Sequence, residues 1–536
     1  VQPAPVGIGS SADCGGDVKE AATGGDDAVA EARERAALEA FQAGEALLGT
    51  GDANAAVPCF MRAASALPGW PDAWLRLGVC LHHLRRYEQA CSAMRHGLEL
   101  CAWEELPAIL TYMDTLRELG RLSDVLAAAE RVPAASPFGH FAALLAGWAA
   151  HALSGAAAGE HWFARAVAAE PENVLYAYLR SRAAAGDGPC DFTPPVELAE
   201  AFEDDQVLAQ LHRAQHHLDV PGLRAVNDKV SLHRLLEASG PGNERFWPRG
   251  YILPGDLDRA VAEEEEVVGG LRGSGLPCWV RKSRNGMGGL GVSAHASVAS
   301  AASGPVEAPS EQQRGQEEES LLQVYVQPPV LLEGRRFSLR TFLVLYAGAP
   351  AEGGLTVYVA REALALMASQ PLSSGSGEEG GEPLSMHVTN QSAAQQAAPE
   401  ESLTRDVAAL QDSDLAGWPG GVGALWAEVE RVAAGLLAAS RATILEPTGE
   451  FQAERTVLVP KVLGVDVLLS AETAGQPARA WLLEVNRHPS LGERYACARR
   501  VKRRVVADAW RLLWQHGGSS GAAAWPSECG CLRRVG

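Results

Sequence analysis

Three oxygen-bearing side chains stand in apolar, strand-like segments near the end of the chain. Asp466 lies within 463–469, and Glu484 and Asn486 lie two residues apart at the end of 480–486. Because side chains two apart share a face of a strand, Glu484 and Asn486 should point the same way. A carboxylate among Val and Leu is costly unless it is paired or binds a cation. Two carboxylates and an amide oxygen therefore predict a Mg²⁺ site that also takes substrate phosphates, although polar residues at an exposed strand end would look similar.

A lysine followed by a glycine-rich loop points to a nucleotide. Lys282 ends an apolar segment, and four glycines follow within 285–291, among them Gly286 and Gly289. Glycine lets the backbone fold closely around phosphates and present its N–H groups, and the lysine adds a positive charge. No Gly-Lys-Ser/Thr follows, so this is not a Walker loop, and the same residues would also suit a structural turn.

Two arginines alternate along a predicted strand at 336–346. Arg336, Ser338 and Arg340 should share one face of it. Two guanidinium groups on one face suit a site for a phosphate or a carboxylate, and a half-buried strand with solvated arginines fits the pattern equally well.

The elements that would carry these residues alternate between short β-like segments and helical patterns. The β-like segments are 278–282, 321–326, 336–346, 355–360, 463–469 and 480–486, and the helical patterns are 228–238, 424–440 and 494–514. This alternation predicts an α+β or α/β catalytic domain. Segments 297–319, 370–383 and 393–418 lack periodicity and large apolar residues, and we expect them to be surface insertions.

A helical repeat precedes this domain. Gly78 and Met94 are matched 34 residues earlier by Gly44 and Phe60, which is the spacing of tetratricopeptide repeats. In such repeats small residues let two antiparallel helices approach while a large one fills the gap. The expected division is a disordered leader at 1–33, about four repeats over 37–185, a catalytic domain over 222–515 and a flexible tail at 516–536.

Composition narrows the classes of partner. The formal charge of −20 argues against a general nucleic-acid or anionic-membrane binder, and there is no apolar stretch long enough for a membrane span. The ten cysteines are scattered and predict neither a zinc site nor a disulfide framework. We see no secretory signal and expect a cytoplasmic protein.

The order of the elements resembles the tubulin-tyrosine-ligase-like family, which has an ATP-grasp fold. A lysine-glycine loop, a Gln-x-Tyr strand, a double-arginine strand, a lone aspartate and Glu-x-Asn follow one another as in that family. Further segments similar to its motifs are Asn227-Asp228-Lys229, 247–254, His387-Val388-Thr389-Asn390 and 483–491. The fold expected is therefore multidomain, with an all-α tetratricopeptide-like repeat domain followed by an α+β ATP-grasp domain.

The resemblance implies a ligase that uses ATP and Mg²⁺. In that family ATP phosphorylates a carboxylate and an amine attacks the acyl phosphate to form an amide, usually on the acidic C-terminal tail of tubulin, and glutamate is the amino acid we expect. Arg340 and Arg336 would be catalytic, Arg340 by stabilising charge on the transferred phosphoryl group. ATP would contact Lys229, Lys282, Gly286, Gly289, Gln323, Val324, Tyr325, Val326, Arg336, Thr389 and Asn390. The Mg²⁺ ligands would be Asp466, Glu484 and Asn486.

The chain departs from the family pattern in the catalytic strands. Ser338 stands where the family has a nucleotide-contacting aspartate, and Leu366 stands where it has an arginine, with Arg361 close by. Loss of an arginine that stabilises the transition state can cost orders of magnitude in rate. Two alternatives therefore remain, an ATP-binding pseudoenzyme that acts as a repeat scaffold on microtubules or cilia, and a ligase acting on a small molecule or another protein.

A basic segment near residue 500 is the candidate landing site for an acidic tail. Arg500, Arg503 and Arg504 would share one face of a helix, and a solvated helix face is the competing interpretation. The expected partners are tubulin as substrate and a protein bound by the repeats, at the cytoskeleton or a cilium.

Overall fold

The computed structural model describes most of the chain. The described residues are 24–49, 52–185, 207, 210–211, 218–272, 274–284, 291–303, 319–348, 354–372, 384–389, 403–415, 417–452, 459–473, 477–491, 496–516 and 525–535. Gly286, Gly289 and Asn390 lie outside them, as do 1–23 of the expected leader, most of 297–319 and 370–383, and part of 393–418.

Consecutive helices fill the described residues up to 185. They are α1 (Gly24–Gly49), α2 (Ala53–Ala66), α3 (Pro71–His83), α4 (Tyr87–Leu100), α5 (Leu106–Glu118), α6 (Leu122–Ala129), α7 (Gly139–Ser154), α8 (Ala156–Ala169) and α9 (Val174–Ala185). The all-helical N-terminal region expected from the sequence is therefore confirmed.

Three pairs of a glycine and a large side chain bring neighbouring helices together. The pairs are Gly44 with Phe60, Gly78 with Met94 and Gly147 with Phe163. A Cβ on these glycines would lie 2.8, 2.3 and 2.6 Å from the partner side chain, too close for any real contact. Each glycine thus sets the distance between two helices, and the first two pairs are 34 residues apart as the repeat predicts.

Two antiparallel sheets follow. The smaller has the strand order β1-β4-β2-β3, and the larger has the order β10-β9-β6-β7-β12-β11, with β5 beside β6 and β8 beside β7. The strands are β1 (Gly250–Leu253), β2 (Trp279–Ser283), β3 (Val292–His295), β4 (Ser320–Val324), β5 (Leu331–Leu332), β6 (Arg335–Ala347), β7 (Leu355–Met367), β8 (Thr404–Asp406), β9 (Lys461–Ser470), β10 (Arg479–Asn486), β11 (Glu528–Cys529) and β12 (Leu532–Val535). This α+β arrangement confirms the fold class.

Helices cover both sheets. They are α10 (Leu223–Asn227), α11 (Lys229–Ala238), α12 (Leu257–Val268), α13 (Val298–Ser303), α14 (Gly421–Leu445) and α15 (Ala496–His516). Helices α12 and α13 share an apolar core with the smaller sheet, centred on the buried Trp279. Helices α14 and α15 pack on the larger sheet, in which every residue of β9 is buried. Within the described ranges, no helix is long and apolar enough to cross a membrane.

Two expected boundaries are wrong. Helix α1 begins at Gly24, so 24–33 is not part of a disordered leader, and its alanines, glutamates and arginines are strong helix formers. The expected tail at 516–536 contains the β11–β12 hairpin, and β12 pairs with β7. Leu532 is buried there, so this hairpin covers an edge of the larger sheet.

Two of the expected insertions contain regular structure. Helix α13 lies within 297–319, and β8 lies within 393–418 and pairs with β7. Leu403 and Val407 next to β8 are buried, so apolar residues spaced too sparsely to show periodicity still reach the core.

The helical region packs directly on the α+β domain. Trp148 of α7 stacks on Phe451 with ring centroids 5.2 Å apart, and Tyr178 of α9 meets Trp510 of α15 edge-on. Gly120, after α5, has φ +67° and a Cβ there would lie 1.8 Å from the carbonyl oxygen of Thr448. Only glycine allows this approach, so the two regions form a close joint.

Candidate active site

A cleft lies between strands of the two sheets. It encloses about 900 Å³ of empty volume, counting the part open to solvent. The predicted residues that line it are Lys229, Lys282, Gln323, Val324, Tyr325, Val326, Arg336, Thr389, Asp466 and Glu484. The structure thus brings together residues that are up to 255 positions apart in the chain.

Three charged residues stand side by side across the larger sheet at the edge of the cleft. Arg340 of β6 is the cross-strand partner of Asp466 on β9, and Asp466 is the partner of Glu484 on β10. Arg340 donates from Nε to Asp466 Oδ1 and from Nη2 to Oδ2, the latter at 2.8 Å. A β-bulge between Leu482 and Glu484 adjusts the register at this point.

Two lysines face the same group from the other side. Lys229, at the start of α11, has Nζ 3.8 Å from Glu484 Oε2. Lys282 of β2 donates to Gln323 Oε1 at 2.8 Å and to the Leu483 carbonyl at 3.2 Å. Burial lowers the pKa of Lys282 to about 8. We call Lys229, Lys282, Arg340, Asp466 and Glu484 the cleft cluster.

The two carboxylates of the cleft cluster have divergent pKa values. Burial, reinforced by the charge of Glu484, raises the pKa of Asp466 to about 6 even though Arg340 lies against it. Burial opposes ionisation of Glu484 too, but the charges of Lys229 and Arg340 hold its pKa well below the usual range. Two adjacent carboxylates repel each other when both are ionised, and a divalent cation would relieve that repulsion.

This donor set fits Mg²⁺. Asp466 and Glu484 offer hard oxygen ligands, and Asn486 lies next to them, with its Nδ2 donating to Glu484 Oε1 at 3.2 Å. The Asn486 amide would present Oδ1 to a metal after a half-turn of its side chain. Mg²⁺ typically takes one or two carboxylates together with substrate phosphates, which Lys282 and Lys229 could hold.

The opposite wall of the cleft is made of aromatic and polar groups. Arg336 donates to the Val326 carbonyl at 3.1 Å, and its guanidinium lies 4.1 Å from the centroid of the Tyr325 ring. The Tyr325 hydroxyl and His387 Nδ1 are 2.9 Å apart. These contacts fix the positions of Tyr325 and Val326 along this wall.

The side-chain amide of Gln323 is hydrogen-bonded within the protein at both of its ends. Its Oε1 accepts from Lys282 and its Nε2 donates to the Pro248 carbonyl at 3.2 Å. Gln323 is almost completely buried, and through this contact it helps to orient Lys282 at the cleft.

The family follows from this geometry and from comparison. Residues 208–516, more than half of the chain, match the model of the tubulin-tyrosine ligase family. The chain belongs to the tubulin-tyrosine ligase family. Ligases of this family depend on ATP and usually on Mg²⁺. No curated protein was found to match the chain.

The departures from the family pattern lie within the cleft. Ser338 and Leu366 are cross-strand partners on β6 and β7, and both line it. Ser338 Oγ lies 2.7 Å from Thr389 Oγ1, so a neutral hydrogen bond occupies the place of a charged group. Arg361 is not among the described residues that line the cleft, and it pairs at 2.7 Å with Glu430 of α14.

In the predicted landing site on α15, Arg500 pairs with carboxylates of the larger sheet. Its guanidinium donates to Glu362 Oε1 of β7 at 3.1 Å and to Asp406 Oδ1 of β8 at 2.7 Å. Arg504 also lies 3.4 Å from Glu362. Arg500 and Arg504 therefore pair with carboxylates of their own domain while remaining partly exposed.

A second group of buried charges lies where the helical region meets the sheet. Glu118, Asp219 and His488 come close enough to share a metal ion. The side chains of Arg117, Lys461 and Arg487 already pair with the carboxylates of Glu118 and Asp219, so the group does not fit a metal ion. We call Arg117, Glu118, Asp219, Lys461 and Arg487 the joint cluster.

Sequence reasoning missed part of the cleft lining. Val280 and Val292 line it from β2 and β3, and Leu483 lines it from β10. Val280 stands two residues before Lys282, so strand alternation could have placed it on the same face. Asp219 and Glu118 carried no signal, because neither lies in a motif and both pair with Arg487, which is distant in the chain.

Proposed function

We propose that this protein is an ATP- and Mg²⁺-dependent ligase that joins an amino acid to a protein through an amide bond. The observation that carries the proposal is the cleft cluster, with an arginine and two carboxylates on three adjacent strands and two lysines facing them. A structural sheet has no need of such a group beside a cleft, since buried charge is costly.

Each residue has a role that its place supports. Lys229 and Lys282 would bind phosphate oxygens of ATP, and the wall formed by Tyr325 and Val326 would hold the base. Asp466 and Glu484 would bind Mg²⁺, which would neutralise phosphate charge. Arg340, fixed by Asp466, would stabilise negative charge on the group transferred from ATP to a substrate carboxylate.

The substrate proposed is an acidic protein tail, that of tubulin, with glutamate as the added amino acid. Family membership supports this choice. A place at microtubules or in a cilium follows from that substrate, and the helical region would bind a protein partner there.

The test is incorporation of radiolabelled glutamate, glycine or tyrosine into tubulin by the full chain with ATP and Mg²⁺. We expect incorporation of glutamate by the wild type and loss of it in Glu484→Gln. The matched control is Glu430→Gln, which removes a carboxylate that pairs with Arg361 away from the cleft. Equal incorporation by wild type and Glu484→Gln would contradict the metal assignment.

The second candidate is an ATP-binding scaffold without turnover. The observation that favours it is that Leu366 and Ser338 both line the cleft, so two charged groups of the family are absent from the site itself. It predicts Mg²⁺-dependent ATP binding without incorporation of any amino acid. ATP consumption with an amino acid but without tubulin would instead indicate another acceptor.

A further inference from the structure

The helical region contacts both chain segments that converge on Glu484. Arg85, in the loop between α3 and α4, donates to the Asn227 carbonyl at 3.4 Å. Glu118, the last residue of α5, pairs with Arg487. Asn227 comes two residues before Lys229 in the chain, and Arg487 directly follows Asn486.

The pair between Glu118 and Arg487 is buried and bidentate. Arg487 Nη1 donates to Glu118 Oε2 at 2.9 Å and Nη2 donates to Oε1 at 2.8 Å. Glu118 and Arg487 are almost completely buried. Two parallel hydrogen bonds fix the direction of the guanidinium as well as its distance, which a single contact would not do.

Arg487 also links the two segments to each other. Its backbone N–H donates to Asn227 Oδ1 at 2.8 Å. The end of β10 is therefore tied to the residue that ends α10, just before Lys229. Across this tie, Lys229 Nζ lies 3.8 Å from Glu484 Oε2.

The rest of the joint cluster closes around Arg487. Arg487 Nε lies 2.8 Å from Asp219 Oδ2, and Lys461 Nζ lies 3.5 Å from Asp219 Oδ1. Lys461 begins β9, the strand that carries Asp466. Both strands that supply carboxylates to the cleft are thus held by the same group of charges.

We propose that Glu118 of the helical region is a positioning residue for the metal site of the ligase domain. By fixing Arg487 it holds the end of β10, and with it Glu484 and Asn486, against Lys229. The inference rests on the proposed function of the cleft as a Mg²⁺-nucleotide site. It makes the helical region part of that site's support, beyond any recruitment of partners.

The binding test measures the Mg²⁺ concentration that half-saturates ATP binding by the full chain. Glu118→Gln should raise this Mg²⁺ concentration by about tenfold, because substitution of residues that support metal ligands commonly weakens metal binding by at least that factor. The matched control is Glu450→Gln, because Glu450 also joins the two regions, accepting from Ser123 N at 2.8 Å and Ser123 Oγ at 2.7 Å. That control should change the Mg²⁺ requirement by less than about twofold. An equal change in both variants, or none in Glu118→Gln, would overturn the proposal.

A second readout does not depend on ATP or Mg²⁺. Hydrogen exchange of the Arg487 amide in nucleotide-free protein should be faster in Glu118→Gln than in wild type, and unchanged in Glu450→Gln. If the wild type binds no Mg²⁺-ATP, the proposed function fails, while this exchange rate still decides whether Glu118 holds the strand end. Unchanged exchange in Glu118→Gln refutes the positioning role.

Arg487→Lys covers the case in which Glu118→Gln does not fold. It keeps the positive charge but cannot donate two parallel hydrogen bonds. We expect the same direction of change in Mg²⁺ requirement, smaller than in Glu118→Gln. Wild-type behaviour of Arg487→Lys in both readouts would contradict the proposal.

Discussion

The cleft cluster and the joint cluster use the same two strands for opposite purposes. Strand β9 supplies Lys461 to the joint and Asp466 to the cleft, while β10 supplies Glu484 to the cleft and leads directly into Arg487. In the joint, the Glu118 and Asp219 carboxylates face arginine or lysine on the described residues around them. In the cleft, two neighbouring carboxylates and two lysines border an open volume.

The two clusters differ in whether their charged groups are paired within the protein or face an open cleft. In the joint, the carboxylates of Glu118 and Asp219 pair directly with arginine and lysine side chains, so these charges stabilise one another within the protein. In the cleft, two carboxylates are neighbours. Burial, and in addition the negative charge of Glu484, raises the pKa of Asp466. Such an arrangement is typical of a site that is completed by a ligand.

The largest effect should follow from Arg340→Leu in the cleft. Amino-acid incorporation should fall by about 10³-fold or more, because an arginine that stabilises a transferred phosphoryl group contributes at least that much. Arg361→Leu is the matched control, since its guanidinium pairs with Glu430 instead of Asp466. Initial rates with saturating ATP would check this, and similar rates for both variants would remove Arg340 from catalysis.

The free energy of unfolding should fall more for a substitution in the joint cluster than for one in the cleft cluster. Arg487→Leu leaves Glu118 and Asp219 buried without their main partner and should lower the free energy of unfolding by about 3–5 kcal/mol. Arg340→Leu should cost less, about 1–3 kcal/mol, because its side chain is 18% exposed against 5% for Arg487. Urea denaturation monitored by tryptophan fluorescence would measure both, and equal losses would contradict the distinction between the clusters.

A pH series should distinguish two lysines whose pKa is lowered by burial, Lys282 and Lys461. Burial lowers the pKa of Lys282 to about 8, so this lysine is charged below that pH and neutral above it. Bound phosphate favours the charged form, so ATP affinity should fall above pH 8 by up to about tenfold per pH unit. Lys282→Met should bind ATP weakly and lack this dependence.

Lys461 is the control for that series. Burial also lowers the pKa of Lys461 to about 8, but this lysine belongs to the joint. Lys461→Met should therefore retain the wild-type pH dependence of ATP affinity. Loss of the dependence in Lys461→Met, or its persistence in Lys282→Met, would show that Lys282 does not hold the phosphates.

The smallest effect should come from an exposed ion pair. Glu430→Gln breaks the contact with Arg361, whose side chain is 41% exposed. Exposed pairs contribute little, so the free energy of unfolding should change by less than about 1 kcal/mol. A loss as large as that of Arg487→Leu would mean that burial does not set the ranking.

The sequence was informative where a charged or polar residue stands in an apolar strand. Asp466 stands among Val and Leu, and Glu484 stands two residues before Asn486 on an apolar strand. Asp466 and Glu484 could therefore be predicted to face a site. Gly44 and Gly78 recur at a fixed spacing opposite Phe60 and Met94, so their close packing could be predicted too.

The sequence was uninformative where the partner is distant in the chain. Glu118 and Arg487 are 369 residues apart, and no local pattern marks either as half of a buried pair. The ion pairs of Arg500 could not be predicted for the same reason, because helical spacing reveals its neighbours on α15 but not Glu362 or Asp406. The β11–β12 hairpin was missed because a strand of four residues is defined by its pairing with β7.

The most direct test of the central claim is calorimetric titration of ATP into the full chain with and without Mg²⁺, for the wild type and Glu484→Gln. If Asp466 and Glu484 bind the metal that accompanies ATP, Mg²⁺ should strengthen ATP binding at least about tenfold in the wild type and have little effect in Glu484→Gln. Equal Mg²⁺ dependence in the two proteins would contradict the account.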